Sequence, residues 1–152
     1  MQLAENIEPV EVGKGELLKE GSDGLIVAIG VLVNEALAAS EQLEKEGIHI
    51  AVVDARFIKP LDTELIISQA EKVPFVITAE ENSLQGGFGS SVLEMLSDVG
   101  MAIPVTRVGI PDQFVGQGTQ PELRSQLGLD AAGLVRRIKE TVSSLKFKST
   151  AS

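Results

Sequence analysis

The sequence predicts an α/β domain of three layers, with helices on both faces of a mainly parallel sheet. Short, continuous apolar runs such as residues 25–29 (LIVAI) are typical of strands buried on both faces. After residue 24 these runs alternate with segments that have the period of an amphipathic helix, which indicates a parallel α/β sheet. The length of 152 residues, 43% of them hydrophobic, suits one domain with one core.

Each element is predicted from a local signal. Apolar runs between turn residues predict strands at residues 16–19, 25–29, 48–53, 73–78 and 103–108. Helical periodicity predicts helices at residues 32–46, 63–71, 89–99, 121–126 and 131–145. Asp62 and Asp130 are expected to cap the helices that follow them, and Gly47 is expected to end the first helix. Thr119 and Glu122 have the spacing of a capping box.

Composition restricts the partners of this chain. The net charge of −9, from 13 basic and 22 acidic residues, disfavours binding to nucleic acid or to anionic membranes. The chain has no Cys, which excludes disulfides and thiolate nucleophiles. The first twelve residues lack the apolar core of a signal peptide, and no apolar run approaches the roughly 20 residues that span a bilayer. These features predict a soluble, cytoplasmic protein.

Four segments are expected at one edge of the sheet, beyond the carboxyl ends of the strands, where ligands bind in open parallel sheets. The segments are residues 30–32, 54–57, 80–87 and 109–119.

Arg56 is the only arginine before residue 107. Its guanidinium at a strand end could bind a phosphate or a carboxylate through two parallel hydrogen bonds. Taken alone, the residues favour a simpler role, an ion pair with Asp54, Glu80 or Glu81.

Glu80 and Glu81 are two adjacent carboxylates at a predicted strand end, which could contribute to an acid/base pair or to a metal site. Neighbouring residues of an extended chain point apart, so one site is not expected to use both. An interface, or a pairing with Arg56, is the favoured interpretation.

A glycine segment at residues 86–91 (GGFGSS) leads into a predicted helix. Free N–H groups at a helix start attract anions, yet the pattern is neither GxGxxG nor a Walker motif. Tight packing of the helix on the sheet or on a second subunit is favoured, with Phe88 as an exposed contact residue.

His49 is the only histidine and is predicted to lie inside a strand, in a structural or half-exposed role. One His without Cys supports neither a Ser-His-Asp triad nor a zinc site. Residues 109–112 (GIPD) form a fixed turn that opens a long loop.

Together these segments resemble one family. Residues 54–62 (DARFIKPLD), 80–82 (EEN) and 86–90 (GGFGS) are similar to the C-terminal domain of transketolase-type thiamine-diphosphate enzymes. The end of the chain resembles the 1-deoxy-D-xylulose-5-phosphate synthases more specifically. That similarity lies in the stretches GIPDQF, GTQ, ELR and LGLDAAG between residues 109 and 133. The resemblance covers roughly residues 12–142.

The resemblance implies a mixed sheet of five strands whose first strand, at about residues 16–19, is antiparallel. It also implies an enzyme that condenses pyruvate with glyceraldehyde 3-phosphate, releases carbon dioxide and begins isoprenoid, thiamine and pyridoxal synthesis. In that family thiamine diphosphate and Mg²⁺ are held by two other domains, and the catalytic histidines lie there too. The resemblance therefore implies no catalytic, cofactor or metal residue in this chain, which is expected to be inactive alone.

One functional residue follows from the resemblance. Arg56 matches an arginine that, in the synthases, helps to hold the phosphate of glyceraldehyde 3-phosphate. Glu81, Asn82 and the glycine segment are expected near contacts with the other domains and within a homodimer. The predicted organisation is a linker or disordered lead-in at residues 1–11, a transketolase C-terminal-like domain at 12–145 and a disordered tail at 146–152.

Two other functions are compatible with the sequence. One is the C-terminal domain of a 2-oxo-acid dehydrogenase β subunit, which would dock a partner acyltransferase, although the ending of the chain argues against it. The other is a free-standing protein that binds small molecules at the edge of the sheet.

Overall fold

A five-stranded mixed sheet forms the centre of the computed structural model, which describes the backbone of residues 9–150 and the side chains of residues 9–145. The strands are β1 (Glu16–Lys19), β2 (Gly24–Ala28), β3 (Ile50–Asp54), β4 (Val76–Ser83) and β5 (Val105–Ile110). Their order across the sheet is β1-β3-β2-β4-β5. Strand β1 pairs with β3 in antiparallel fashion and the other pairs are parallel, as the family resemblance implies.

Helices cover both faces of this sheet. They are α1 (Leu32–Glu44), α2 (Thr63–Ala70), α3 (Phe88–Asp98), α4 (Gln120–Leu127) and α5 (Ala131–Thr150). Helices α1 and α5 share one apolar cluster with the sheet, and α2 and α3 share the other. The central strand β2 is buried throughout, with Ile26 and Ala28 in the first cluster and Leu25 and Val27 in the second. The three-layer α/β/α fold class is confirmed.

The predicted caps at the starts of α2 and α4 form hydrogen bonds. Asp62 accepts a hydrogen bond from the Leu65 N–H at 3.1 Å, and its other oxygen accepts from the Gly15 N–H at 3.1 Å, which ties α2 to the segment before β1. At α4 the Thr119 N–H and hydroxyl donate to Glu122 at 2.9 and 2.8 Å. These two bonds, first the one from the backbone, lower the pKa of Glu122.

Two strands run further than predicted. Strand β4 continues through Ser83, so Glu80 belongs to a strand and not to a loop, and β5 continues through Ile110. The apolar run of β4 ends at Ala79, and the four polar residues that follow it still belong to the strand. Backbone pairing continues past the apolar run, since Ser83 still aligns with Ile110 and the Leu84 N–H donates to the Ile110 carbonyl at 2.9 Å.

The last helix is also longer than predicted. We predicted its end near Leu145, and the backbone stays helical through Thr150. No Gly or Pro follows Gly133, so no strong helix breaker stops the helix at the predicted position. Residues 1–8 of the predicted lead-in and 151–152 of the predicted tail lie outside the described residues. Between residues 9 and 150, no helix has both the length and the apolar character to cross a membrane.

Candidate functional site

The carboxyl ends of β2, β3, β4 and β5 meet at one edge of the sheet because these four strands are parallel. Arg56 follows β3, the glycine segment follows β4, and the long loop at residues 111–119 follows β5. Strand β2 lies between β3 and β4, so the ends of these two strands are about 10 Å apart.

Arg56 lies in an unusual backbone conformation at this edge. Its φ is 55°, the only positive φ of a non-glycine residue within residues 9–150. The Arg56 N–H donates to Asp54 Oδ1 at 2.9 Å, a local bond that stabilises the left-handed turn. The backbone therefore holds the side chain at the rim of the sheet, where 32% of it is exposed.

The carboxylate partner of Arg56 is Glu16, which contacts Nη2 of the guanidinium. The predicted pairing with Asp54, Glu80 or Glu81 is therefore wrong. The reason is topological, since antiparallel pairing of β1 places Glu16 directly opposite Asp54. Glu80 and Glu81 belong to β4, two strands away.

Glu80 is fully buried and binds the start of α3. Its two oxygens accept hydrogen bonds from the N–H groups of Phe88, at 2.7 Å, and Gly89, at 2.8 Å. Glu81 points to the opposite side, is exposed and pairs with Arg124. The two carboxylates diverge as expected, and neither meets Arg56.

The glycine segment packs tightly against β4. A Cβ on Gly87 would approach the Ser83 carbonyl oxygen to 2.2 Å, and one on Gly89 would approach Thr78 Oγ1 to 2.4 Å. The N–H groups at the start of α3 are occupied by the Glu80 carboxylate, which excludes an external anion from them. Tight helix packing, the favoured interpretation, is confirmed.

Phe88 was predicted to be an exposed contact residue, and this is wrong, since its exposed fraction is 0%. It is the first residue of α3 and joins the apolar cluster on the α2 and α3 face. Among the side chains of residues 9–145, the exposed aromatic residue is Phe114, in the loop after β5. The sequence analysis did not single out Phe114, although an aromatic residue in a glycine-rich loop was a usable signal.

His49 lies just before β3, at the amino end of the strand, and not inside it as predicted. The His49 ring is exposed, with Nδ1 4.0 Å from Glu44 Oε1, and the backbone N–H of His49 donates to Asp23 Oδ2 at 2.7 Å. The half-exposed role is confirmed, and the ring lies at the edge opposite to Arg56.

Two features of the described side chains bear on the cofactors that the resemblance implies. Within residues 9–145, no three His, Asp or Glu side chains converge in a way that could hold a metal ion. The helix start that follows the glycine segment, the natural place for a diphosphate, is already neutralised by Glu80.

Comparisons with known proteins agree with this architecture. The family model for "Transketolase, C-terminal domain" matches residues 13–134. The 1-deoxy-D-xylulose-5-phosphate synthase of Syntrophotalea carbinolica is 50% identical over 139 residues, which cover 91% of this chain and 22% of the relative. 1-Deoxy-D-xylulose-5-phosphate synthase 1 of Geobacter sulfurreducens is 53% identical over 133 residues, covering 87% of this chain and 21% of the relative. The chain thus spans about a fifth of the length of these relatives.

Solved structures give the same result. An inactive β4 tetramer of a split-gene transketolase superposes with a TM-score of 0.82 at 42% identity, covering 88% of this chain and 44% of that one. Transketolase of Pichia stipitis in complex with sedoheptulose 7-phosphate superposes with a TM-score of 0.60 at 23% identity, covering 88% of this chain and 18% of that one. The second likeness concerns the fold alone. By its sequence match and its fold, this chain belongs to the transketolase C-terminal domain family.

Proposed function

We propose that this chain acts as the C-terminal domain of a 1-deoxy-D-xylulose-5-phosphate synthase. The observation that carries the proposal is 50% identity to such a synthase across 91% of the chain. The whole enzyme would condense pyruvate with glyceraldehyde 3-phosphate in the cytoplasm and release carbon dioxide. Thiamine diphosphate supplies the carbanion chemistry, and it would be held with Mg²⁺ by other domains of the same polypeptide in a homodimer.

The role of this domain would be structural support and substrate contact, with no activity alone. Three observations favour this role. Glu80, the buried carboxylate nearest the edge, has both oxygens occupied by α3. The only histidine lies at the opposite edge. Phe114 and Val115, both exposed in the loop after β5, suit contacts with another domain.

Arg56 would bind the phosphate of glyceraldehyde 3-phosphate. It lies at the carboxyl edge of β3, its side chain is partly exposed, and its described carboxylate contact is with Glu16 alone. Glu16 is itself half exposed at the rim of β1, so a phosphate can bind Arg56 beside Glu16 or in place of Glu16 at little desolvation cost. A dianionic phosphate also offers the planar guanidinium two acceptor oxygens.

The domain assignment is tested by replacement in a relative. We expect this chain, substituted for the matching segment of the Syntrophotalea carbinolica synthase, to support 1-deoxy-D-xylulose 5-phosphate formation. The same synthase without that segment is expected to be inactive. A folded, soluble chimera that forms no product would contradict the assignment.

In the active chimera, Arg56→Ala is expected to raise KM for glyceraldehyde 3-phosphate about 10- to 100-fold, with little change for pyruvate. A charge-assisted hydrogen bond to phosphate contributes roughly 1.5–3 kcal/mol, and each 1.4 kcal/mol is tenfold. Steady-state kinetics with each substrate varied in turn provide the measurement.

Arg124→Ala is the matched control, because Arg124 is also a partly exposed arginine paired with one glutamate. It is expected to leave both KM values unchanged. Equal KM values for the aldehyde in the Arg56→Ala and unmodified chimeras would contradict phosphate binding by Arg56. They would not affect the domain assignment.

A further inference from the structure

Strand β5 lies at an edge of the sheet, and the outer side of its amino half is uncovered. Among the described residues, β4 is its neighbour on one side and no strand lies on the other. Strand β5 packs mainly against β4 and α3, and Val105, Thr106 and Arg107 are partly exposed. An uncovered edge offers unpaired backbone groups to a further strand.

The backbone groups of Val105 and Arg107 point to this open side. Val76 aligns with Val105, and the Val76 N–H donates to the Pro104 carbonyl at 2.9 Å. In a parallel pair, this pattern turns the backbone groups of every second residue of β5, beginning with Pro104, toward β4 and those of the residues between them outward. Within residues 9–145, no hydrogen-bond partner lies on the outer side of Val105 and Arg107. Two donors and two acceptors are therefore available.

An apolar groove of about 560 Å³ lies beside the same half of β5. It runs between β5 and the C-terminal half of α3, and Leu93 of that helix is 43% exposed. The apolar residues that line the groove include Leu93, Leu96, Met101, Ile103 and Val105. An unpaired edge beside exposed apolar surface is a template for association with another chain.

The opposite edge of the sheet is protected against such pairing. Strand β1 has only four residues, and its register with β3 shifts after Leu17. Glu16 and Lys19 on this strand both form ion pairs. Short length, an irregular register and charged side chains are the features that keep edges from associating. Residues 105–108 of β5, in contrast, keep a regular register with β4 and include three β-branched side chains.

The charges at the β5 edge are complementary between two antiparallel copies. Among the side chains of residues 9–145, no carboxylate lies within ion-pair distance of Arg107. At the far end of α3, beside the amino end of β5, Glu94 and Asp98 are exposed, and no basic side chain within residues 9–145 pairs with them. Antiparallel alignment of two such edges brings the cation of each copy toward the carboxylates of the other.

We propose that two copies of this chain associate through the amino half of β5, which joins their five-stranded sheets into one continuous sheet. A two-fold axis through Thr106 pairs Val105 of each copy with Arg107 of the other, and both residues direct their backbone groups outward. Each of these two pairs exchanges two N–H···O=C hydrogen bonds, so all the available groups are used. The surface is self-complementary, as a two-fold interface requires. The proposal does not depend on the proposed enzyme activity.

Helix α3 meets its counterpart across this axis. The Arg107 side chain lies beside Gly89 and Ser90 at the start of α3. Leu93 is one helical turn further along and therefore about 5 Å closer to the amino end of β5, near the level of Thr106. Because α3 packs over both β4 and β5, a strand spacing of about 4.8 Å brings the two α3 axes about 10 Å apart, the distance of packed helices. Leu93 of each copy then contacts the groove of the other.

The test is sedimentation equilibrium of the 152-residue chain over a wide range of protein concentration. Physiological ionic strength screens the repulsion between two chains of net charge −9. We expect a reversible equilibrium between monomer and dimer. Amide hydrogen exchange, followed by NMR, should show the Val105 and Arg107 N–H groups becoming protected as the dimer fraction rises. The Thr106 and Val108 N–H groups face β4 in both states and serve as the internal reference.

Leu93→Gln should weaken dimerisation about 10-fold or more, because each dimer loses two buried leucine contacts. Leu93 is exposed in the monomer, so this variant is expected to remain folded. Leu18→Gln is the matched control, since Leu18 is an exposed leucine on the β1 edge, and it should leave the equilibrium unchanged. A chain that stays monomeric at every concentration, equal dimerisation of Leu93→Gln and the unmodified chain, or a dimer whose Val105 and Arg107 N–H groups stay unprotected would each overturn the proposal.

Discussion

Phe88→Ala is expected to lower the free energy of unfolding by about 3–5 kcal/mol, the usual cost of removing a buried phenyl ring. Phe88 is completely buried in the cluster between α3 and the sheet, together with Val27 and Val92. Its removal forfeits the transfer free energy of the ring and leaves a cavity that rigid neighbours fill only in part. Urea denaturation followed by circular dichroism measures the change, since the chain has no Trp.

Phe114→Ala is the matched control for this prediction. The Phe114 side chain is fully exposed in the loop after β5, so its truncation should change the free energy of unfolding by less than about 0.5 kcal/mol. If both variants lost the same stability, or if Phe88→Ala lost none, the placement of Phe88 in the core would be wrong.

Glu80→Ala is expected to cost about 2–6 kcal/mol of stability, because two buried donors lose their acceptor. The N–H groups of Phe88 and Gly89 both bind the Glu80 carboxylate, and each buried donor left without a partner costs about 1–3 kcal/mol. The carboxylate also neutralises the positive end of the α3 dipole. The same denaturation measurement applies, and hydrogen exchange should accelerate first at the start of α3.

Two further variants make this prediction specific. Glu80→Gln keeps one acceptor oxygen and is expected to lose less stability than Glu80→Ala. Glu81→Ala removes the exposed neighbour, whose partner Arg124 is also at the surface, and should cost no more than about 1 kcal/mol. An equal loss in Glu80→Ala and Glu81→Ala would argue against a capping role for Glu80.

The alternation of apolar runs and helical periodicity was sufficient to predict the fold. Strand β2 shows why, because all five of its residues are buried and its residues alternate between two apolar clusters. A strand covered on both faces has to be apolar at every position, and this requirement is visible in the sequence. The caps at Asp62 and Thr119 were predictable for a similar reason, since they involve residues only three positions apart.

The pairings at the edge of the sheet were not predictable in the same way. The partner of Arg56 lies 40 residues away on β1, and the resemblance that placed β1 in the sheet carried no register. Glu80 was predicted to lie at an interface or to pair with Arg56, because acidic residues are seldom buried without a charged partner. Its partners are backbone N–H groups, which no side-chain pattern reveals.

By itself, the sequence determined the α/β fold class, the succession of elements and the membership of a family. These properties follow from short-range periodicity and from motifs that remain contiguous along the chain. Only the tertiary structure decided that Phe88 is buried, that Glu80 caps α3, and that Glu16 pairs with Arg56. Each of these facts depends on contacts between distant segments, which form when the strands align and the helices pack against them.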